Sequence, residues 1–199
     1  MPPLLIGLTG GIAAGKSTVS GLLKERGAHV VDADEVAREV VMPGSVGLAR
    51  IVEAFGSGVL RPDGTLDRAS LGAVVFADVE ARRTLEQLTH PLIAAQSQLR
   101  LAEALESGAP LIVYDAALLF ESGRADHFRP VVVVTVNVDV QRARLMARDG
   151  LTAEQAQSRI DAQMPLGEKV KRADHVIDNG GSLEETRARV DALWQILRL

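Results

Sequence analysis

The sequence predicts an α/β protein whose open, five-stranded parallel sheet is covered by helices on both faces. Two observations carry this prediction. Short apolar runs recur along the chain, as in strands that are buried on both faces. Between them, apolar residues follow helical spacing over segments long enough for the crossovers that parallel strands need. With 199 residues, 47% of them hydrophobic, we expect one sizeable core and one folding unit.

The five strands are expected at residues 4–8, 30–32, 111–115, 131–136 and 176–177. After the first strand, Val19, Leu22 and Leu23 recur at helical spacing, and Gly27 stands where a helix ends on a glycine. Residues 44–108 carry only helical patterns, which predicts an inserted helical subdomain. Within it, Pro91 lacks an N–H group and is expected to begin a new helix.

Composition excludes several classes of function. The chain has no cysteine, so it forms no disulfide and no thiolate metal site. A formal net charge of -4 argues against nucleic acid as a partner, because binding to its backbone needs excess Lys and Arg. No apolar run approaches the roughly 20 residues of a membrane span. We expect a soluble, cytoplasmic protein with no membrane partner, and a monomer by default.

A phosphate-binding motif follows the first strand. Residues 10–17 fit the pattern G-x-x-x-x-G-K-[ST] between a buried strand and a helix, which is the context of a P-loop, or Walker A motif. Its N–H groups surround an anion, Lys16 holds the β- and γ-phosphates, and the Ser17 hydroxyl completes a Mg²⁺ shell. The residues expected at ATP are Gly11, Ile12, Ala13, Ala14, Gly15, Lys16, Ser17 and Thr18. An ordinary glycine-rich turn is disfavoured, because Gly, Lys and Ser stand at the required offsets.

The motif predicts a fold of the P-loop NTPase type, a three-layer α/β/α arrangement, and nucleotide binding, but it does not identify an acceptor. No N-K-x-D sequence follows a later strand, which disfavours a GTPase. We expect a nucleotide-binding core at about 1–43, 109–140 and 173–199, a helical acceptor-binding insertion at about 44–108, and a lid at about 141–172.

Acidic residues follow two of the predicted strands. In open α/β sheets ligands bind at the carboxyl ends of strands, and Asp32 and Asp34 follow the second strand there. Asp32 is the candidate for accepting or orienting the proton of an attacking hydroxyl group. Asp34 either contacts the acceptor or caps a helix beginning near Glu35. Asp115 ends the third strand and is a weaker candidate for the metal.

The segment 141–172 is rich in charge. Arg148 and Arg159 are candidates for covering ATP, with Arg148 stabilising charge in the transition state, as lid arginines do. The alternative is a solvated helical hairpin whose arginines pair with Asp149 and Asp161. In the helical insertion, His90 either contacts the acceptor or caps the helix expected at Pro91.

The ordered set of motifs resembles the dephospho-coenzyme A kinase family nearly end to end. The motifs, in chain order, are GLTGGI and GKSTV from residue 7, DAD at 32–34, GTLDR at 64–68, HPLI at 90–93, LLFE at 118–121, Arg159-Ile160 with Gln163, and IDN at 177–179. The resemblance implies that ATP with Mg²⁺ phosphorylates the ribose 3′-hydroxyl of dephospho-coenzyme A, the last step of coenzyme A biosynthesis. It also implies that Asp32 is the base and that Arg148 and Arg159 belong to a lid over ATP.

Two positions depart from the family pattern. Ala13-Ala14 stands where the family usually has Gly-Ser, and Ala117 where it usually has proline. We expect the backbone of Ala13 to avoid conformations that only glycine adopts readily. The residues alone leave two alternatives open: a P-loop kinase for a nucleotide or sugar acid, and a regulatory P-loop NTPase that signals through switch loops.

Overall fold

The computed structural model of the chain describes residues 2–197. It divides into two compact units, one comprising the residues up to Asp32 together with those from Glu103 onwards, the other Ala33–Ala102. The second unit begins at Ala33, where a helix starts directly after the second strand. The division into core, acceptor-binding insertion and lid stays a prediction.

The first unit is built on a five-stranded parallel sheet. Its strands are β1 (Leu4–Gly10), β2 (His29–Asp32), β3 (Leu111–Asp115), β4 (Val131–Thr135) and β5 (His175–Asp178). Their order across the sheet is β2-β3-β1-β4-β5, and every neighbouring pair is parallel. The predicted α/β class with a five-stranded parallel sheet is confirmed, and the apolar runs mark strands whose side chains are buried on both faces.

Nine α-helices connect and flank the strands in the part of the chain that is described. They are α1 (Lys16–Glu25), α2 (Ala33–Glu39), α3 (Val46–Phe55), α4 (Arg68–Ala77), α5 (Val79–Glu106), α6 (Val138–Asp149), α7 (Ala153–Asp161), α8 (Leu166–Lys171) and α9 (Leu183–Ile196). Short 3₁₀ helices cover Ser57–Val59 and Ala125–Phe128. Gly27 has a φ of 95° just beyond α1, the left-handed conformation expected of a glycine that ends a helix.

The core of the first unit lies between the sheet and helices α1 and α9. Ile6, Leu8, Val113 and Val132 from the central strands are fully buried there against side chains such as Leu23 of α1. Burial of this kind contributes about 25 cal/mol per Å² of apolar surface. The central strands are therefore fixed firmly, and so are the loops that leave their carboxyl ends.

The second unit has its own core, formed around Leu48 and Ile51 of α3 and Leu71 of α4. The helix expected to begin at Pro91 does not begin there: α5 runs unbroken through Pro91 for 28 residues. Proline inside a helix removes one backbone hydrogen bond and its ring clashes with the carbonyl four residues earlier, at a cost of about 3 kcal/mol, and the remaining hydrogen bonds of this long helix are kept. Pro91 was therefore misread as a boundary.

Candidate phosphate-binding site

The P-loop, residues 10–17, lies at the centre of the sheet. Gly10 ends β1, and β1 lies between β3 and β4. The chain connects β1 to β2 on one side and later crosses to β4 on the other, so the loop lies where the strand order reverses. Open α/β sheets bind their ligands at this switch point.

The helix that follows the P-loop begins without a side-chain cap. Its N-cap residue, Gly15, offers no side-chain hydrogen bond, and the first turn of α1 contains no acidic residue. By contrast, α3, α4, α6, α7 and α9 each begin on a Ser, Thr, Asp or Asn whose side chain accepts a backbone N–H. The first turn of a helix has N–H groups with no acceptor inside the helix, and the helix dipole makes this end positive. The beginning of α1 is suited to an anion.

Gly15 is required by its backbone conformation and by a close neighbour. Its φ is 86°, and a Cβ at this position would lie 1.9 Å from Nδ2 of Asn179. That amide donates to the Ala14 carbonyl at 2.9 Å, and its Oδ1 accepts the Thr186 hydroxyl at 2.8 Å. Asn179 thus fixes the second half of the P-loop from the segment after β5.

Ile12, in the first half of the loop, is held on both sides of its peptide backbone. Its N–H donates to Oε1 of Gln163 at 2.8 Å, and its carbonyl accepts Nε2 of Gln141 at 2.7 Å. Ile12 was predicted among the ATP-binding residues. In this arrangement its N–H group is engaged by a side chain of the protein.

Ala13 adopts the conformation that was expected to be avoided. Its φ is 58°, in the left-handed region, and no other residue except glycine has a positive φ between residues 2 and 197. The left-handed region costs an L-residue roughly 1–2 kcal/mol. The contacts on either side of it, at Ile12 and Ala14, hold the loop in a shape that its own sequence disfavours.

Lys16, Asp115 and Asp32 come together at the carboxyl ends of neighbouring strands. Nζ of Lys16 donates to Oδ1 of Asp115, which is buried at the end of β3. Asp32 ends β2 in register with Asp115 of β3. Neighbouring strands of a sheet are about 4.8 Å apart, so the backbones of these two residues lie side by side. Two carboxylates and the P-loop ammonium thus share one edge of the site.

Two predicted acceptor-binding residues lie in the second unit. Asp34 is exposed in the first turn of α2, which begins one residue before it, so Asp34 does not precede the helix as the cap that was considered. His90 is exposed within α5 and does not begin a helix. Their contact with an acceptor remains a prediction.

The two predicted lid arginines meet at one carboxylate. Arg148 donates to both oxygens of Asp149, and Arg159 donates to Oδ2 of Asp149 at 2.7 Å. The hydrogen bonds from Arg148 are the main cause that lowers the pKa of Asp149, and the same bonds raise the pKa of Arg148. All three residues are exposed, so this arrangement corresponds to the ion-paired hairpin that the sequence left open.

Arg144 lies closer to the P-loop than the arginines that were singled out. Its NH2 group donates to the Asn179 carbonyl at 3.0 Å, and its NH1 group lies 3.6 Å from the position of a Cβ on Gly15. Helical spacing places Arg144 and Arg148 on the same face of α6, so the sequence alone could not show which of them lies near the P-loop. Gln141 carried no sequence signal, whereas Asn179 follows β5 directly and the strand-end rule points to it.

The residues present fit a magnesium ion. Mg²⁺ usually takes one or two protein oxygens and completes its shell with phosphates and water. Ser17 is exposed in the first turn of α1 and Asp115 lies beside Lys16, so hard oxygen donors flank the predicted phosphate position. Across the described residues, no three His, Cys, Asp or Glu side chains form a metal-binding group.

The chain is similar to known proteins over most of its length. No helix within residues 2–197 is long and apolar enough to cross a membrane. Residues 4–185 match the family model described as dephospho-CoA kinase. A dephospho-CoA kinase of Geobacter sulfurreducens is 53% identical over 190 residues, covering 96% of each chain.

Two solved structures share the fold over almost the whole chain. A Thermus thermophilus protein, TT1252, superposes with a TM-score of 0.83 at 36% identity and covers 99% of both chains. A dephospho-CoA kinase from Campylobacter jejuni gives a TM-score of 0.71 at 30% identity, covering 96% of both chains. With a P-loop held in place by Asn179 and Gln163, and with this likeness over nearly its full length, the chain belongs to the dephospho-CoA kinase family.

Proposed function

We propose that the protein transfers the γ-phosphate of ATP to the ribose 3′-hydroxyl of dephospho-coenzyme A and releases coenzyme A and ADP. The observation that carries this proposal is the contact of Lys16 with Asp115 beside an uncapped helix N-terminus, with Asp32 in backbone register with Asp115 on the neighbouring strand. Phosphate positioning and a carboxylate for the acceptor are the two things that such a transfer needs. Membership of the family supplies the identity of the acceptor.

The nucleotide is held by its phosphates at the P-loop. N–H groups at the start of α1 bind the phosphate oxygens, and Lys16 exchanges its bond to Asp115 for the β- and γ-phosphates. Arg144 lies beside Gly15 and adds positive charge near the P-loop. Arg148 and Arg159 close over ATP if they leave Asp149, which is the role expected of a lid.

Asp32 acts on the acceptor. Its carboxylate accepts the proton of the 3′-hydroxyl as that oxygen forms a bond to the γ-phosphorus. The bond between the γ-phosphorus and the β–γ bridging oxygen breaks, and the electron pair leaves with ADP. Lys16 and the arginines stabilise the charge that accumulates on the transferring group and the leaving oxygen.

Magnesium is the proposed cofactor, held by the Ser17 hydroxyl with Asp115 as a further ligand or as a partner of its water shell. When bound, it neutralises charge on the β- and γ-phosphates. Asp34 and His90 remain proposed acceptor contacts. A monomeric state and a cytoplasmic location also remain predictions.

The test is product analysis with purified protein, Mg²⁺, ATP and dephospho-coenzyme A. We expect coenzyme A and ADP in equal amounts. Asp32→Asn should lower kcat by about 100-fold or more, in the range for loss of a general base, while ADP still binds. Asp126→Asn changes an exposed carboxylate that pairs with Arg129 and serves as the matched control.

Three results would contradict the proposal, each in a different way. Phosphorylation of nucleotides or sugar acids, with none of dephospho-coenzyme A, would assign a different acceptor. ATP hydrolysis that is indifferent to every acceptor would favour a regulatory NTPase. Near-normal turnover by the Asp32→Asn variant would remove Asp32 from its role and leave the reaction intact.

A further inference from the structure

Lys169 of α8 has a fully buried ammonium group that the proposed reaction does not use. Its Nζ donates to the Ala117 carbonyl at 2.8 Å and to the Gly10 carbonyl at 3.3 Å, and it lies 2.8 Å from Oε1 of Glu121. An ammonium group has three N–H donors. Two backbone carbonyls thus accept hydrogen bonds from Lys169, and Glu121 is its ion-pair partner.

Those two carbonyls stand at the starts of the two loops that form the site. Gly10 is the last residue of β1 and the first of the P-loop, and Ala117 comes two residues after Asp115. The Thr9 hydroxyl also donates to the Ala117 carbonyl, at 3.1 Å. The ammonium thus fixes the spacing between the loop carrying Lys16 and the strand end carrying Asp115. The acceptor at residue 117 is a carbonyl, which proline also has, so the departure from the family pattern preserves this contact.

Glu121 extends the same network to a second residue of the P-loop. Its Oε1 also accepts the backbone N–H of Met164 at 3.1 Å. The preceding residue is Gln163, whose side chain accepts the Ile12 N–H. The contacts therefore form a closed ring in which residues 163–169 hold the P-loop at both Gly10 and Ile12.

The Lys169 side chain is fully buried, whereas that of its partner Glu121 is 23% exposed. A charge buried in this way is weak evidence for stability, because an apolar side chain of similar volume often stabilises a protein as well or better. What such a pair supplies is one fixed geometry, since both charged groups must keep their partners. We propose that Lys169 is a positioning residue, oriented by Glu121, which holds the P-loop in its phosphate-binding shape and at a fixed distance from Asp115.

The effect of Lys169 on turnover rests on the proposed function. Its effect on nucleotide binding can be measured without any acceptor substrate. The positioning role also assigns α8 to the support of the P-loop, although the sequence placed residues 166–171 in the lid. The movable part of the predicted lid is then limited to the residues between Arg144 and Gln163, which include Arg148 and Arg159.

The test compares Lys169→Met with Lys171→Met, a change two residues away in the same helix at a side chain that is 72% exposed. Affinities for ADP and for adenosine are measured by competition with a fluorescent nucleotide, well below the unfolding temperature of each variant. We expect Lys169→Met to weaken ADP binding by about 10-fold or more, because the P-loop loses its fixed shape, and losing one hydrogen bond between the loop and a charged phosphate corresponds to roughly that factor. Adenosine lacks phosphates, so its affinity should stay within about 2-fold. Lys171→Met should change neither affinity.

Unchanged ADP affinity in Lys169→Met would overturn the proposal, and so would equal weakening of ADP and adenosine, which indicates general loosening. If Lys169→Met does not fold, Glu121→Gln decides, because it keeps the acceptor oxygen for Met164 and removes only the charge that orients Lys169. It should weaken ADP binding by about 3-fold or more with adenosine unaffected, and unchanged ADP affinity would refute the positioning role. Since both readouts omit dephospho-coenzyme A, they keep their meaning if the true acceptor is another compound.

Discussion

Gly15→Ala tests whether the P-loop is shaped by contact with Asn179 or only by backbone conformation. A Cβ at residue 15 would lie 1.9 Å from Nδ2 of Asn179, so the amide must move. Its bond to the Ala14 carbonyl is then lost in a buried place. An unsatisfied buried partner costs about 1–3 kcal/mol.

The effect of the left-handed backbone conformation alone on the free energy of unfolding can be measured at Gly27, just beyond the other end of α1. Gly27 has a φ of 95°, close to the 86° of Gly15, and no atom lies within 4 Å of a Cβ placed on it. Alanine at residue 27 destabilises the folded state by roughly 1–2 kcal/mol, because its backbone must be left-handed. It also makes the unfolded chain less flexible, which stabilises the fold by roughly 0.4–1 kcal/mol. Gly27→Ala should therefore lose about 1 kcal/mol and Gly15→Ala about 2–4 kcal/mol.

Urea unfolding followed by circular dichroism gives both free energies of unfolding. The single variants Gly15→Ala and Asn179→Ala and the double variant form a double-mutant cycle. We expect a coupling energy of about 1–3 kcal/mol, because without the Asn179 amide the alanine at residue 15 displaces nothing. Equal losses at Gly15 and Gly27, or a coupling energy near zero, would refute the reasoning. The Gly15→Ala variant should also bind ADP more weakly, while Gly27→Ala should bind it normally.

Two further predictions concern Ala13 and Asp174. Ala13→Gly should raise the free energy of unfolding by about 0.5–1 kcal/mol, because it relieves the φ of 58° at a smaller entropic cost; a loss of stability in urea unfolding would contradict this. The Val131 N–H, and after it Arg129, lower the pKa of Asp174 below its ordinary 3.8, so its contribution is present above that pH and is lost as pH falls towards the lowered pKa. The stability gap between wild type and Asp174→Asn should therefore narrow below about pH 4, and a constant gap from pH 7 to 3 would count against it.

The strands and the P-loop were predictable because their signals are local. A strand buried on both faces, such as β3, must be apolar throughout, and residues 111–115 were placed without error. Pro91 was misread because a proline inside a helix costs one hydrogen bond, which a long helix tolerates. The φ of Ala13 was missed because contacts distant in sequence impose it.

The same reason explains Lys169 and the arginines. Lys169 sits in a charged segment that is indistinguishable in sequence from a solvated surface, and only the packing of α8 buries its ammonium. Arg144 and Arg148 share one helix face, yet Arg144 donates to the Asn179 carbonyl after β5 and Arg148 to the neighbouring Asp149. Sequence periodicity reports which face a residue occupies and not what that face meets.

The helix that begins at the P-loop lacks what five other helices of the chain have, a side chain that closes its first turn. A bound phosphate supplies the missing acceptor, so for α1 the substrate takes the place of a residue. Ligand that binds only the folded chain adds RT ln(1 + [L]/Kd) to stability. Through α1, the amount of nucleotide present becomes part of what holds the protein folded.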